Sequence, residues 1–100
     1  MMAFRRRQFG DLIARQLDMF ERDHADEIAE TNKRLKAYNE ADRDDAEEVY
    51  GDYADSVDWV KESLEQLRDA YQLSLDGEAG DAYEAEFDRA VAKRWPRFAL

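Results

Sequence analysis

Residues 46–74 read AEEVYGDYADSVDWVKESLEQLRDAYQLS, and this stretch decides the fold class. Its apolar side chains recur at alternating steps of four and three, a spacing that places them on one stripe of an α-helix. The stripe comprises Ala46, Tyr50, Tyr53, Val57, Val60, Leu64, Leu67, Tyr71 and Ser74. The pattern predicts a helix over residues 44–76 that ends at Asp76, with Gly77 in a left-handed conformation after the last turn.

A second amphipathic pattern precedes this helix and covers residues 4–39. Its apolar positions follow the same steps of three and four, so we expect one helix of about 52 Å. They are Phe9, Ile13, Leu17, Phe20, His24, Ile28, Thr31, Leu35 and Tyr38. Residues 39–45 then lose the pattern and gain turn-favouring residues, which predicts a turn. An alternative interpretation extends the first helix to Tyr50 and breaks it at Gly51.

A third, shorter helix is expected over residues 81–95. Asp81 and Glu84 have the spacing of a capping box, and Pro96 stops the helix. Its inward face comprises Tyr83, Phe87, Val91 and Trp95. No run of alternating apolar and polar residues indicates a strand. The sequence therefore predicts one all-α domain over the 100-residue chain, built from a long antiparallel helical hairpin and a shorter third helix.

The third helix is about half as long as the other two, so the part of the hairpin next to the turn is left with two helices. Two helices cannot bury both of their apolar stripes against each other. We therefore predict that a second copy covers this surface about a two-fold axis, which gives a dimeric helical bundle. In the alternative, the stripe folds on itself and the tyrosine hydroxyls stay in water. The predicted dimer interface comprises Ile28, Leu35, Tyr38, Tyr50, Tyr53 and Val57.

Charge and composition disfavour several classes of function. The net charge is −10, and all 25 acidic residues lie between Asp11 and Asp88, so the body of the chain repels nucleic acid phosphates. No cysteine is present, which excludes disulfides, thiolate-bound zinc and iron–sulfur clusters. The apolar runs fall far short of the roughly 20 residues of a membrane-spanning helix, and no signal-peptide pattern is found. A cytoplasmic location is the expectation.

Glu21-Arg22-Asp23-His24 is the one spacing with a chemical meaning. A Glu-x-x-His pair lies on one face of a helix, and ferritin-like carboxylate bundles use it, with glutamates from facing helices, to hold two metal ions. The pair predicts, as an alternative function, a divalent-metal site at Glu21 and His24. In the other interpretation His24 is a packing residue near Trp59. No nucleophile or phosphate-binding loop accompanies the histidine, so catalysis is not expected.

Basic and aromatic residues are mixed at both ends of the chain. This patch comprises Arg5, Arg6, Arg7, Lys93, Arg94, Trp95 and Arg97. Such residues can contact an anionic membrane surface, nucleic acid or the acidic tip of another copy. The acidic tip is the segment of residues 40–58, which contains nine acidic residues and one arginine. The ordinary interpretation is that the basic residues near the end of the third helix complement its dipole, and that the acidic tip is a solvated charge run.

In length, acidity and predicted hairpin the chain resembles the small secreted WXG proteins. Their turn contains Trp-x-Gly, whereas Tyr38-Asn39-Glu40-Ala41-Asp42 stands at the turn here, so no family is assigned. The function that the sequence favours is a non-enzymatic interaction or scaffold module that acts as a homo-oligomer. The alternatives are a ferritin-like metal-binding bundle and an adaptor that binds an anionic surface through its basic and aromatic ends.

Overall fold

The computed structural model describes residues 8–100, which form an elongated, all-helical molecule. Its principal extents are 56 × 24 × 22 Å, and its radius of gyration is 16.3 Å, against about 13 Å for a compact chain of this length. The elements are α1 (Gly10–Asp23), α2 (Ala25–Glu40), α3 (Ala46–Gln72), α4 (Gly77–Arg94) and a 3₁₀ helix (Pro96–Phe98). The described residues contain no strand, so the predicted all-α class is confirmed. No helix among them is long and apolar enough to cross a membrane.

Within the described residues, the single helix expected over residues 4–39 is two helices that meet at His24, and residues 4–7 of that prediction lie outside the described range. His24 has φ −117° and ψ 26°, outside the helical region. Its N–H still donates to the Phe20 carbonyl at 2.9 Å, and its carbonyl accepts from the Ile28 N–H at 3.0 Å. The hydrogen-bond ladder therefore continues through a bend. Because no proline or glycine lies near the bend, the apolar periodicity alone could not locate it.

Helices α2 and α3 pack side by side and run in opposite directions. The Arg34 side chain of α2 donates to the Asp52 carbonyl of α3 at 3.3 Å, and the ring centroids of Tyr38 and Tyr50 lie 5.2 Å apart. Residues 41–45 connect the two helices, as the predicted turn requires. The alternative of a first helix that continues to Tyr50 is wrong, because Gly51 lies inside α3.

The buried core lies in one half of the molecule. It is built by α1, the second half of α3, α4 and the 3₁₀ helix, and its members are Ile13, Leu17, Phe20, Val60, Leu64, Tyr83, Phe87, Val91 and Phe98. Among the described residues, none between 32 and 56 belongs to this core. Residues 32–56, from α2, the turn and α3, therefore form a two-helix extension that we call the projection.

Helix α4 begins four residues earlier than the sequence analysis predicts. Asp76 has extended backbone angles, and its side chain accepts a hydrogen bond from the Ala79 N–H at 3.0 Å, which makes Asp76 the N-cap. Gly77 is the first helical residue, and no glycine among the described residues has a positive φ, so the left-handed Gly77 and the start at Asp81 are both wrong. An Asp cap satisfies an otherwise unpaired amide of the first turn, and this decides where the helix starts.

Replacement of Asp76 by alanine is expected to lower the free energy of unfolding by about 1 kcal/mol, the usual cost of a lost N-cap. Urea denaturation followed by circular dichroism measures the difference. Asp81→Ala is the matched control, because Asp81 is an exposed aspartate inside the same helix. A larger loss for Asp81→Ala than for Asp76→Ala would contradict the observed helix start.

Candidate functional site

The residues of the predicted metal site, Glu21 and His24, take different partners. Glu21 Oε1 accepts from Arg94 Nη2 at 3.0 Å, whereas His24 Nδ1 lies 3.1 Å from Glu27 Oε1. Within residues 8–100, no three histidine, cysteine, aspartate or glutamate side chains are grouped so that they could hold a metal ion. The divalent-metal site therefore stays a prediction that no geometry in the described residues supports.

His24 packs between two aromatic rings at the bend between α1 and α2. Its imidazole stacks on Phe20 with the ring centroids 4.3 Å apart, and it meets the Trp59 ring at 5.9 Å. The predicted proximity to Trp59 is therefore observed. The hydrogen bond of the imidazole goes to Glu27, one turn along on α2, rather than to a facing helix.

The basic and aromatic patch is not one surface. Arg5, Arg6 and Arg7 lie outside the described residues. Arg94 donates to Asp18 Oδ1 at 2.7 Å and to Glu21, and its guanidinium lies 5.0 Å from the Trp95 ring centroid. Burial lowers the pKa of Arg94, but the hydrogen bonds to these carboxylates outweigh burial and raise it overall. Arg94 therefore ties α4 to α1.

Arg97, in the 3₁₀ helix, has a structural contact of its own with α2. Its Nη2 donates to the buried Thr31 hydroxyl at 3.2 Å and also to Asn32 Oδ1, and its guanidinium lies 4.8 Å from the Phe98 ring centroid. Trp95 packs partly buried against the core. Of the predicted patch, Lys93 alone is exposed without an ion pair inside residues 8–100.

The predicted dimer interface divides into two groups. Ile28 and Val57 pack against the core of their own chain, whereas the other four lie on the projection and do not contact the core cluster. We call these four the tyrosine stripe, and they are Leu35, Tyr38, Tyr50 and Tyr53.

The tyrosine stripe is an exposed aromatic surface. Tyr38 is 37% exposed and Tyr50 is 51% exposed. Their rings meet edge to face at 5.2 Å, and Tyr53 lies 6.3 Å from Tyr50 along α3. Edge-to-face pairs hold aromatic rings in defined positions, so the stripe presents an ordered surface and not three independent side chains.

The acidic tip adds negative charge to the same part of the molecule as the tyrosine stripe. All nine carboxylate side chains of residues 40–58 are exposed, and Arg43 is the single basic residue among them. The projection therefore combines an apolar aromatic surface with a strongly negative margin. Charged margins around an aromatic centre are typical of protein interfaces.

A groove with a volume of about 1140 Å³ lies between α1 and α4. Leu12, Ala14 and Ala90 form its accessible apolar part, whereas Ile13 and Leu17 of the same lining are only 3% and 2% exposed. No local sequence pattern predicts the groove, because the residues of α1 and α4 that form it are far apart in the chain. The sequence offers one signal for the groove, namely the arginines that occur in both helices.

Comparison of the chain with protein-family models, with curated proteins and with solved structures found no match. The tyrosine stripe and the α1–α4 groove are the two features whose geometry supports a functional role. The stripe offers exposed aromatic side chains on a two-helix extension, and the groove offers an apolar lining with cations at its margin.

Proposed function

We propose that this protein is a non-enzymatic interaction module that acts as a homo-oligomer, with the tyrosine stripe as its contact surface. The observation that carries the proposal is the exposure of Tyr38 and Tyr50, which pack on each other at 5.2 Å on a part of the molecule outside the core. Tyrosine is enriched in the energetically important centres of interfaces, because it buries a large apolar ring and still offers a hydroxyl.

Association at the stripe has a physical reason. Apolar surface removed from water contributes about 25 cal/mol per Å², and a two-helix extension offers no third layer inside the chain to cover its aromatic side chains. The core ends with the 3₁₀ helix, whose Arg97 reaches Thr31 on α2. The stripe lies beyond that level, next to the turn, so a second molecule can reach it without displacing any packed residue.

A second copy of this chain is the partner that needs no further assumption. Soluble oligomers are most often built from identical chains. The sequence analysis predicts a two-fold dimeric bundle, in which two projections pair to give four helices. Docking of the stripe on a different surface of the second copy also buries it, so the homo-oligomer does not depend on the two-fold arrangement.

The double variant Tyr38→Ala/Tyr50→Ala is expected to lose self-association. Light scattering over a concentration series should give the wild type a mass of at least twice 11.8 kDa, and the variant a mass near 11.8 kDa. Loss of the two exposed rings should raise the dissociation constant at least tenfold, since interface tyrosines often contribute more than 1.4 kcal/mol each.

Met19→Ala/Leu73→Ala is the matched control. These side chains are 55% and 88% exposed and lie outside the projection, so their removal subtracts exposed apolar surface without touching the stripe. The control should associate as the wild type does. A wild-type protein that stays at 11.8 kDa at every concentration would contradict the proposal.

A further inference from the structure

We infer that the tyrosine stripe of one copy docks in the α1–α4 groove of the next copy, so that assembly is head to tail and not two-fold. The inference rests on the proposed function, because it names the surface that receives the stripe. Three observations carry it, namely the charge of the acidic tip, the unpaired cations at the groove and the apolar lining between them.

Two-fold pairing of projections brings like charges together. The acidic tip has nine acids and one arginine, a net charge of −8, and all nine carboxylates are exposed. A parallel pairing places two such tips side by side. An antiparallel pairing places each tip beside residues 26–36 and 52–62 of the partner, which carry seven acids and four basic residues. In both orientations the like charges repel each other at distances below the Debye length of about 10 Å, and this repulsion opposes association.

The groove presents the opposite charge. Arg15 of α1 and Arg89 and Lys93 of α4 line it, and all three are exposed. None of the three makes an ion pair with another residue of the described range 8–100. They are therefore available to the carboxylates of a second molecule.

Other charged groups at the groove reduce this positive charge. Arg94 is held by Asp18 and Glu21. Glu86 accepts a hydrogen bond from the neutral Phe9 N–H at 3.1 Å and keeps its charge, so Asp11 and Glu86 are two carboxylates on the lining. The three unpaired cations of the lining outnumber these two carboxylates by one, and this excess of positive charge complements the acidic tip.

The apolar part of the groove suits aromatic side chains. Leu12, Ala14 and Ala90 line it together with the basic residues of the two helices, and the groove has a volume of about 1140 Å³. These apolar side chains can cover the aromatic rings of the stripe, while the unpaired cations of the groove attract the carboxylates of the acidic tip.

Head-to-tail contact has a consequence for the size of the assembly. The contact joins two different surfaces, so each copy in a dimer keeps one free stripe and one free groove. The average mass should continue to rise with concentration beyond two chains, unless the series closes into a ring. A two-fold dimer stops at two chains, because both of its identical surfaces are covered.

The charge-reversal variant Arg89→Glu/Lys93→Glu tests the groove. Analytical ultracentrifugation should show at least a tenfold weaker association than in the wild type. Arg22→Glu/Lys61→Glu is the matched control, because it makes the same change in net charge outside the groove and the stripe, and it should associate within threefold of the wild type. Circular dichroism spectra and melting temperatures confirm that all variants are folded.

Salt separates the two arrangements. Between about 0.01 M and about 1 M sodium chloride, where the Debye length falls from about 30 Å to about 3 Å, association of the wild type should weaken at least tenfold. Two-fold pairing of acidic projections predicts the opposite, since salt screens their repulsion. Association that strengthens with salt would overturn the head-to-tail arrangement.

A mixing experiment gives the decisive result. The groove variant Arg89→Glu/Lys93→Glu has an intact stripe, and the stripe variant Tyr38→Ala/Tyr50→Ala has an intact groove. Each should be monomeric alone, and their equimolar mixture should form a 1:1 complex that stops at two chains. A two-fold arrangement predicts no complex, because one partner lacks the stripe.

Failure of the inference and failure of the proposed function give different results. If the groove variant associates as the wild type does while the stripe variant is monomeric, the head-to-tail arrangement is wrong and the stripe remains the interface. If the wild type is monomeric at every concentration and salt, both are wrong.

Discussion

Replacement of Phe98 by alanine is expected to lower the free energy of unfolding by about 3–5 kcal/mol, the usual cost of removing a buried aromatic side chain. Phe98 lies after the last α-helix, in the 3₁₀ helix that follows Pro96, yet its side chain is 0% exposed. It packs in the core with residues of three α-helices, and its ring lies 6.2 Å from Trp95.

Alanine at this position leaves a cavity that the neighbouring helices can fill only in part. The change also removes the ring beneath the Arg97 guanidinium, which lies 4.8 Å from the Phe98 centroid and holds the 3₁₀ helix on α2 through Thr31. We therefore expect the loss of stability to be accompanied by weaker protection of α2 amides in hydrogen exchange.

Chemical denaturation at several protein concentrations measures the loss for Phe98→Ala. Leu73→Ala is the control, because Leu73 is 88% exposed and its removal should change the free energy by less than about 0.5 kcal/mol. A loss below about 1 kcal/mol for Phe98→Ala would show that the 3₁₀ helix is not part of the core.

Stability is expected to fall as the pH rises from about 10 to about 12, through ionisation of Tyr83. The Tyr83 side chain is 0% exposed, and its hydroxyl donates to Gln16 Oε1 at 2.8 Å. Burial raises the pKa of Tyr83 to about 12. An unfolded tyrosine has a pKa of about 10.

The direction of the effect follows from linkage. Because the folded state holds the Tyr83 proton more tightly than the unfolded state does, its contribution is fully present below about pH 10 and is lost as the pH rises through the folded pKa of about 12. A difference of about two pKa units corresponds to a loss on the order of 2 kcal/mol.

Urea denaturation of the wild type and of Tyr83→Phe over this pH range isolates the contribution. The variant loses the hydrogen bond to Gln16, so it should be less stable than the wild type at neutral pH, by about 1 kcal/mol. The difference should shrink or reverse near pH 12, because the variant has no phenol at this site to ionise. Tyr50→Phe, at a 51% exposed position, is the control and should leave the pH profile unchanged. Parallel profiles for the wild type and Tyr83→Phe would contradict the prediction.

The part of the fold that the sequence predicts is the part with local causes. The α3 stripe is a regular series of steps, and Val60 and Leu64 in it are fully buried. The inward face predicted for the third helix places Tyr83, Phe87 and Val91 in the core, where the structure has them. Neighbours in these patterns lie three or four residues apart, so the helix geometry alone brings them together.

The helix boundaries are less well predicted, because several residues offer equivalent local signals. Asp76 and Asp81 are both suitable N-caps, and the choice depends on tertiary packing. In the structure Gly80 is buried beside Gln72, and a Cβ built on it would lie 3.4 Å from the Gln72 Cγ. This close approach of α4 to the end of α3 has no counterpart in the local sequence.

The candidate site shows the same division. The sequence analysis predicts an exposed tyrosine surface next to the turn, and Tyr38 and Tyr50 are exposed there. It does not predict that Ile28 and Val57 pack against the core of their own chain. That difference depends on how far α4 and the 3₁₀ helix reach along α3, which is a property of their packing.

The sequence by itself determined the all-helical class, the stripe of α3 and the two-helix projection with its acidic tip, because each depends on the spacing of residues close in the chain. The tertiary structure decided the bend at His24, the partners of Glu21 and Arg94, and the groove that Arg15 and Lys93 both line. These contacts join residues that are distant in the chain. In a sequence with 25 acidic and 15 basic residues, a cation has many carboxylates of equal chemical suitability, and only the packing of the helices selects the one it meets.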